Sequence, residues 1–345
     1  MKELGMYSAE EYKNQFRVNN AVAFANPNTI GIEQNLTTLT QLLSNVLRQK
    51  FYTLNGQALT DFIPIEMGTG AYAKQFTQFA VAQVGDSFET GIVQAGNGIN
   101  KDANVDIVVD TVSIHNNFWR MKYQATNEIV RMAQVNQETF SYIEELERAR
   151  LKTAQLGLQK VAFLGTDDGL SEGLLNLSDV TINTTLIPAT FSTMDITALT
   201  NFASSVISTY FALTNSTVFP NTLVIPTSDL AALGIPVNPE YPIGTKREFL
   251  ENAFKSAGAP ADFKILHTVY NQTASTTGAE RYVLYNRDAD TLTMYIPRPY
   301  TPYPLYPVGS LDMISDAEMQ FTGVWAKRPQ EILYLDKTAQ FITGD

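Results

Sequence analysis

Two segments, AYAKQFTQFAVAQV (71–84) and VDIVVDTVSIHNNFWRMKYQA (105–125), alternate apolar and polar side chains over unusual lengths. The linker between them, GDSFETGIVQAGNGINKDAN (85–104), is polar and glycine-rich. A period of two predicts a half-exposed antiparallel ribbon. An isolated two-stranded ribbon is only marginally stable in water, so it must lie on something. If the body of the chain does not supply that surface, a neighbouring molecule has to.

The remainder of the chain is organised around this ribbon. Residues 1–50 read as an N-terminal arm, in which Asn28 or Thr29 caps a helix carrying Ile32, Leu36, Leu39, Leu43, Val46 and Leu47 on one face. Pattern alone leaves two roles open for it, a packed helix with a loose leader or an arm docked on a neighbour. Residues 51–67 look strand-like. After the ribbon a helix is predicted over 137–164, started by Asn136 or Thr139, with Glu138, Glu144 and Glu145 near its N-terminus. Phe140, Ile143, Leu146, Ala154, Leu158 and Val161 keep its helical spacing, and Gly165 ends it.

Residues 180–290 predict a compact α+β unit. A helix starts at Ser192 with Asp195 three residues on, and Ile196, Leu199, Phe202, Val206 and Tyr210 form its apolar face. NTLVIP (221–226) is a buried-type strand leading to a helix capped by Thr227 or Ser228. Another helix spans 245–256, FKILHTVY (263–270) is a strand, and RYVLYNRDADTLTMYIP (281–297) is a hairpin. PRPYTPYPLYP (297–307) reads as a rigid connector packed on the body rather than a free polyproline ligand. Strands MQFTGVWAKRP and EILYLD close the chain.

Composition removes whole classes of function. The 345 residues carry a net charge of -11 without a basic patch, which argues against direct nucleic-acid recognition. Charged residues make up 17%, below the usual quarter or so, and Asn, Thr and Gln fill the gap, as in broad hydrogen-bonded protein contacts. With no cysteine, disulfides, thiolate catalysis and zinc ribbons are excluded. The first residues lack a signal-peptide core and no apolar run approaches the ~18 residues of a membrane span, so the expected place of synthesis and residence is the cytoplasm.

The stretch GTDDGLSEGLLN (165–176) invites a ligand reading that its order refuses. A phosphate loop follows a strand and opens a helix, whereas Gly165 follows a helix. An EF-hand loop alternates its oxygen ligands and closes on Glu; here Asp167 and Asp168 are adjacent and Asn176 closes. A structural corner remains, with turns at Gly169 and Gly173 and Leu174-Leu175 returning to the core. His115 and His267 read as ordinary strand histidines, and two histidines without cysteine make no zinc site. Glu144/Glu145 lie on a solvated helix face and Asp288/Asp290 bracket a turn. No enzyme and no cofactor are expected.

In order and spacing, FLGTDDGLSEGLLN (163–176), NTLVIPTSDLAAL (221–233) and GVWAKRPQEILYLD (323–336) resemble the major capsid proteins of tailed bacteriophages with the Hong Kong 97-type fold. The resemblance implies an α+β capsid fold in four parts. These are an arm (1–50), a peripheral domain (51–180) with extended loop 71–122 and spine helix 137–164, an axial domain (181–296), and a return to the peripheral domain (297–345). It implies a self-assembling shell of hexamers and pentamers around double-stranded DNA, held in the virion head and assembled in the host cytoplasm. The structural or assembly positions it points to are Gly165, Gly169, Gly173, Leu174, Leu175 and Asn176 at the corner, Phe88 and Trp119 on the loop, and Trp325, Arg328 and Pro329 near the end.

The implied partners are further copies of the chain, a separate scaffolding protein, a portal and decoration proteins, with no membrane; that no charged helical segment precedes the arm fits either a separate scaffold or an already matured chain. Lys74 and Lys101 lie in the region where some relatives form crosslinks, but no motif carries that reaction here. Two alternatives stay open: an encapsulin-type nanocompartment shell, and a non-shell binding or tail-associated module.

Overall fold

A computed structural model of the chain describes residues 54, 57–86, 104–126, 128, 142–187, 191, 194–237, 244–309 and 311–337. The arm helix, Phe88, Lys101 and the residues expected to start the long helix lie outside these. The described residues fall into two units, one drawn from Met1–Gln57, Lys122–Thr153 and Pro304–Ser315, the other from Ala58–Met121, Ala154–Tyr303 and Asp316–Asp345.

In chain order the elements begin with helix α1 (Leu59–Phe62), strands β1 (Ile65–Met67), β2 (Gln75–Gly85) and β3 (Val105–Thr126), and helix α2 (Tyr142–Leu164). The stretch expected as a strand at 51–67 therefore holds a helical turn before its strand. Next come β4 (Thr181–Asn183), α3 (Ile196–Leu213), β5 (Thr222–Pro226), α4 (Thr227–Leu233), α5 (Lys246–Ser256) and β6 (Lys264–Thr268). The chain continues through β7 (Arg281–Tyr285), β8 (Leu292–Ile296), β9 (Arg298–Pro302), β10 (Tyr306–Val308), β11 (Asp312–Thr322), β12 (Val324–Ala326) and β13 (Ile332–Asp336).

The larger unit is built on a five-stranded sheet in the order β4-β13-β7-β5-β6, mixed in direction. β5, β7 and β13 are buried at every residue, as strands covered on both faces must be. Leu199, Phe202, Val206 and Tyr210 of α3 and Leu250 and Phe254 of α5 pack on the sheet. Phe254 stacks on Phe263 at 4.7 Å between ring centres. α3 is long and apolar enough in composition to cross a bilayer, but this face is sunk in the core while Thr200, Asn201 and Ser205 face outward. Thr245 caps α5 through a reciprocal box with Glu248.

Several local expectations change. α3 is capped by Asp195, whose carboxylate accepts from Ala198 N at 2.7 Å, so the helix starts after Asp195 and Ile196 at its first turn is exposed. The residue before α4 is Pro226, and no side chain caps that helix. β7 and β8 are not a hairpin. Both edges of β7 are taken by β5 and β13, so β8 joins β1 and β12 in a separate three-stranded sheet. The proline-rich connector supplies two short strands, β9 and β10, each antiparallel to part of β11.

In the smaller unit, Arg150 of α2 is buried. Its guanidinium donates to the Ser315 carbonyl at 2.8 Å, pairs with Glu147, and lies 4.6 Å from the Tyr123 ring centre.

Candidate assembly surface

β2 and β3 pair antiparallel without interruption from Gln75↔His115 to Gly85↔Val105. Directly paired residues share a face, so Phe79, Val81, Val105, Ile107 and Val109 fall on one side. The ribbon was expected to be half-exposed. Instead every residue of β3 from Val105 to Ser113 is exposed, and Phe79 and Val105 are 71% and 72% accessible. Alternation encodes two faces but does not say whether either is covered. Among the described residues nothing lies on this apolar face, an arrangement that monomeric soluble proteins avoid at such extent.

At the inner end of the ribbon sits the corner. α2 stops at Leu164, and Gly165 turns left-handed with φ 76°. The last carbonyls of the helix, which no intrahelical donor can reach, are met by the residues that follow. Leu174 N donates to Ala162 O, Leu175 N to Phe163 O, each at 2.9 Å, and Asn176 Nδ2 to Leu164 O at 2.7 Å. Asn176 Oδ1 also accepts from Gly173 N at 2.6 Å. Leu174 and Leu175 are fully buried. Ser171 accepts from Asn117 Nδ2 of β3 at 2.7 Å, so the corner is tied to the root of the ribbon.

The acidic groups of the corner are occupied locally. Asp167 pairs with Lys160 at 2.7 Å. Hydrogen bonds from Thr166 and the Leu170 N–H hold the Asp168 carboxyl below its ordinary value. Among the described residues no three His, Cys, Asp or Glu side chains gather as metal ligands would. An exposed apolar ribbon anchored on a rigid corner can bind protein surface.

A sequence profile of the Major capsid protein family matches residues 94–338, more than two thirds of the chain. The chain belongs to the major capsid protein family. Its fold is that of phage capsid subunits, as the Hong Kong 97-type resemblance implied. It is similar to the capsid of Myoviridae Phage XM1 with a TM-score of 0.72 at 16% identity, over 88% of this chain and 98% of that one. It is also similar to a chain of Mycobacterium phage Che8 (TM-score 0.56, 12% identity, 88% and 98% covered). A third similar structure is the capsid of a native GTA particle (0.53, 12%, 91% and 100%). A search of curated protein sequences returned no match.

In this capsid-family chain Trp325 and Pro329 border a cleft with residues 112–115 of the ribbon strand. Trp119 of β3 lines an apolar cleft of about 190 Å³ with Leu158, Val161, Met319 and Phe321. Trp325 is buried in β12, with Lys327 Nζ 5.9 Å above its ring centre. Arg328 pairs with Glu331 at 3.3 Å, and Pro329 opens a 3₁₀ turn, Pro329–Glu331. Sequence reasoning missed Gly323, where a Cβ would lie 2.5 Å from the Glu172 carbonyl of the corner. A lone glycine between two strands gives no sign of such a contact.

Gly173 has no room for a side chain: a Cβ would come within 2.5 Å of Gly165 N, Leu164 N and Phe163 C. Gly173→Ala is therefore expected to cost about 3 kcal/mol of subunit stability. At Gly169 the space is open and only its φ of 72° resists a side chain, so Gly169→Ala should cost about 1 kcal/mol. Urea unfolding of the two variants checks the ranking.

The two histidines part company. His115 is exposed on the ribbon, whereas His267 is buried in β6. Burial, and then the nearby Arg247 charge, hold the His267 pKa below its ordinary value. The unfolded chain then takes up a proton that the folded chain refuses, so this contribution to stability is lost as pH falls below the usual histidine value of about 6.5. Asp229 works in the opposite sense. Burial raises its carboxyl pKa against a lowering hydrogen bond from Tyr282, and the folded state gains from its protonation at lower pH. His267→Gln should flatten the decline in urea midpoint between about pH 7 and about pH 5.5.

Proposed function

We propose that this chain is the major capsid protein of a tailed bacteriophage, forming hexamers and pentamers that close an icosahedral head shell around double-stranded DNA. The observation that carries the proposal is the uncovered apolar face of the ribbon in a chain of the major capsid protein family. A second copy of the same chain supplies the missing surface, because a closed shell repeats one contact around every subunit. In this layout residues 51–180 are the peripheral domain, 181–296 the axial domain and 297–345 the return, with β13 reaching into the axial sheet beside β7.

The role is structural and non-enzymatic. A separate scaffolding protein, a portal and decoration proteins would be the other partners, with assembly in the host cytoplasm and residence in the virion head. The net charge of -11 suits a wall that encloses DNA without gripping it.

The test is expression of the chain alone and together with its neighbouring genes, with the products imaged by negative-stain electron microscopy. Closed icosahedral particles, or sheets and tubes of hexamers, are expected, and DNA inside distinguishes a phage head from an enzyme-filled compartment. A monomer under every condition, co-expression with a scaffold included, would return the chain to the class of non-shell binding modules.

A further inference from the structure

β3 ties the ribbon to the body along a single line. Its outer half pairs with β2, and its inner half runs on beside β11, where Arg120 faces Glu318 at 3.5 Å. A strand bends and twists readily about such a line, so β3 alone does not fix the direction of the ribbon. Besides the Asn117–Ser171 bond at the root, the turn before β2 is a further attachment. Within five residues Gly68, Gly70 and Tyr72 all take positive φ, of 81°, 73° and 68°. Left-handed backbone is ordinary for glycine and a genuine outlier for a bulky ring-bearing residue, which keeps it only where the surroundings over-determine it.

The surroundings of Tyr72 do so. Its N–H donates to Oε1 of Gln320, a buried amide of β11, at 2.8 Å. Its hydroxyl accepts from Arg298 of β9, whose guanidinium carbon lies 5.4 Å from the Tyr72 ring centre and 5.9 Å from that of Tyr303. Arg298 pairs in turn with Glu318 and donates to the Tyr303 hydroxyl at 2.7 Å, which donates to Glu318 at 2.8 Å. Just below, Phe76 stacks on Tyr295 at 5.0 Å, and a Cβ at Gly70 would meet the Phe76 ring at 2.5 Å. Yet Tyr72 is 61% exposed, so core packing does not explain a tyrosine there. What the ring does is engage Arg298.

We infer that Tyr72 is a positioning residue: clamped by Gln320 and Arg298 in a left-handed conformation, it sets the angle at which the ribbon leaves the body. This rests on the shell proposal only for its consequence, that the angle decides how neighbouring copies meet.

The chain contains no cysteine, so spin labels at Asp110→Cys on the ribbon and Asn252→Cys on α5 report the angle in the unassembled subunit. A tilt of about 30° would move position 110, roughly 17 Å along the strand from its root, by about 9 Å. The parent chain and Tyr72→Phe, which keeps the ring over Arg298, should give the same narrow distance distribution. Tyr72→Ala, free to leave the left-handed region, should shift the main distance; Tyr72→Gly should broaden it about the original mean. Thermal midpoints should stay close to the parent value throughout. Unchanged distances in both the alanine and glycine variants would overturn the inference, as would a fall in midpoint with distances unmoved. Because the unassembled subunit is measured, failure of the shell reading leaves this test intact.

Discussion

Serine at positions 79 and 107 should leave the subunit folded and stop closed shells from forming. Phe79 and Ile107 lie on the same ribbon face and are 71% and 60% exposed, so their loss should change subunit stability by no more than about 0.5 kcal/mol. In the proposed shell the same side chains would be buried against a second copy. Each is then worth about 1.5–3 kcal/mol of transfer out of water. Two per contact weaken association by roughly a hundredfold or more, and the loss recurs at every subunit of a closed lattice. Thermal unfolding and electron microscopy of the same preparation read the two halves of the expectation. Particles of normal size and yield would mean that the ribbon face is not an inter-subunit surface.

The ribbon was legible because alternation over so many residues has few other meanings, and the corner because GLLN follows a helix-ending glycine. The reason for GLLN emerged only with the backbone on hand: residues 174, 175 and 176 satisfy three successive carbonyls at the end of α2. Alternation predicted faces but not their exposure, since a strand is written the same way whether a neighbour or water covers it. The pairing of β7 and β8 was misread because Asn286 to Asp290 carry ordinary turn chemistry. Asp290 N bonds to Asp288 Oδ1 and Thr291 N to Asp288 O. Turn residues fix a reversal of the chain, whereas sheet partners are fixed by which edges remain free. The left-handed backbone of Tyr72 has no signature at all, because the residues that hold it, Arg298 and Gln320, lie more than two hundred positions away.

A shorter separation, 55 positions, hides the pair with the largest expected effect on the folded subunit. Arg281 of β7 and Asp336 of β13 are both buried and meet fork to fork, Nε to Oδ1 at 2.6 Å and the second terminal nitrogen to Oδ2 at 2.8 Å. The remaining guanidinium nitrogen donates to the Leu175 carbonyl at 2.5 Å, and the Arg281 guanidinium carbon lies 4.4 Å from the Tyr334 ring centre. Tyr334 in turn donates to the Leu174 carbonyl at 2.6 Å. The corner after α2 is thus pinned to two adjacent central strands by one charged side chain and one phenol. Arg281→Ala leaves a buried carboxylate and a buried carbonyl without their donor, and should destabilise the subunit by about 3–5 kcal/mol. Arg281→Met combined with Asp336→Leu removes both charges while keeping the volume, so it should cost less than the single change, about 1–2 kcal/mol for the orphaned Leu175 carbonyl. Urea unfolding of the two singles and the double gives the coupling directly. If Arg281→Ala costs under about 1 kcal/mol, water reaches the pair and the corner is held by Tyr334 and the helix-end bonds alone.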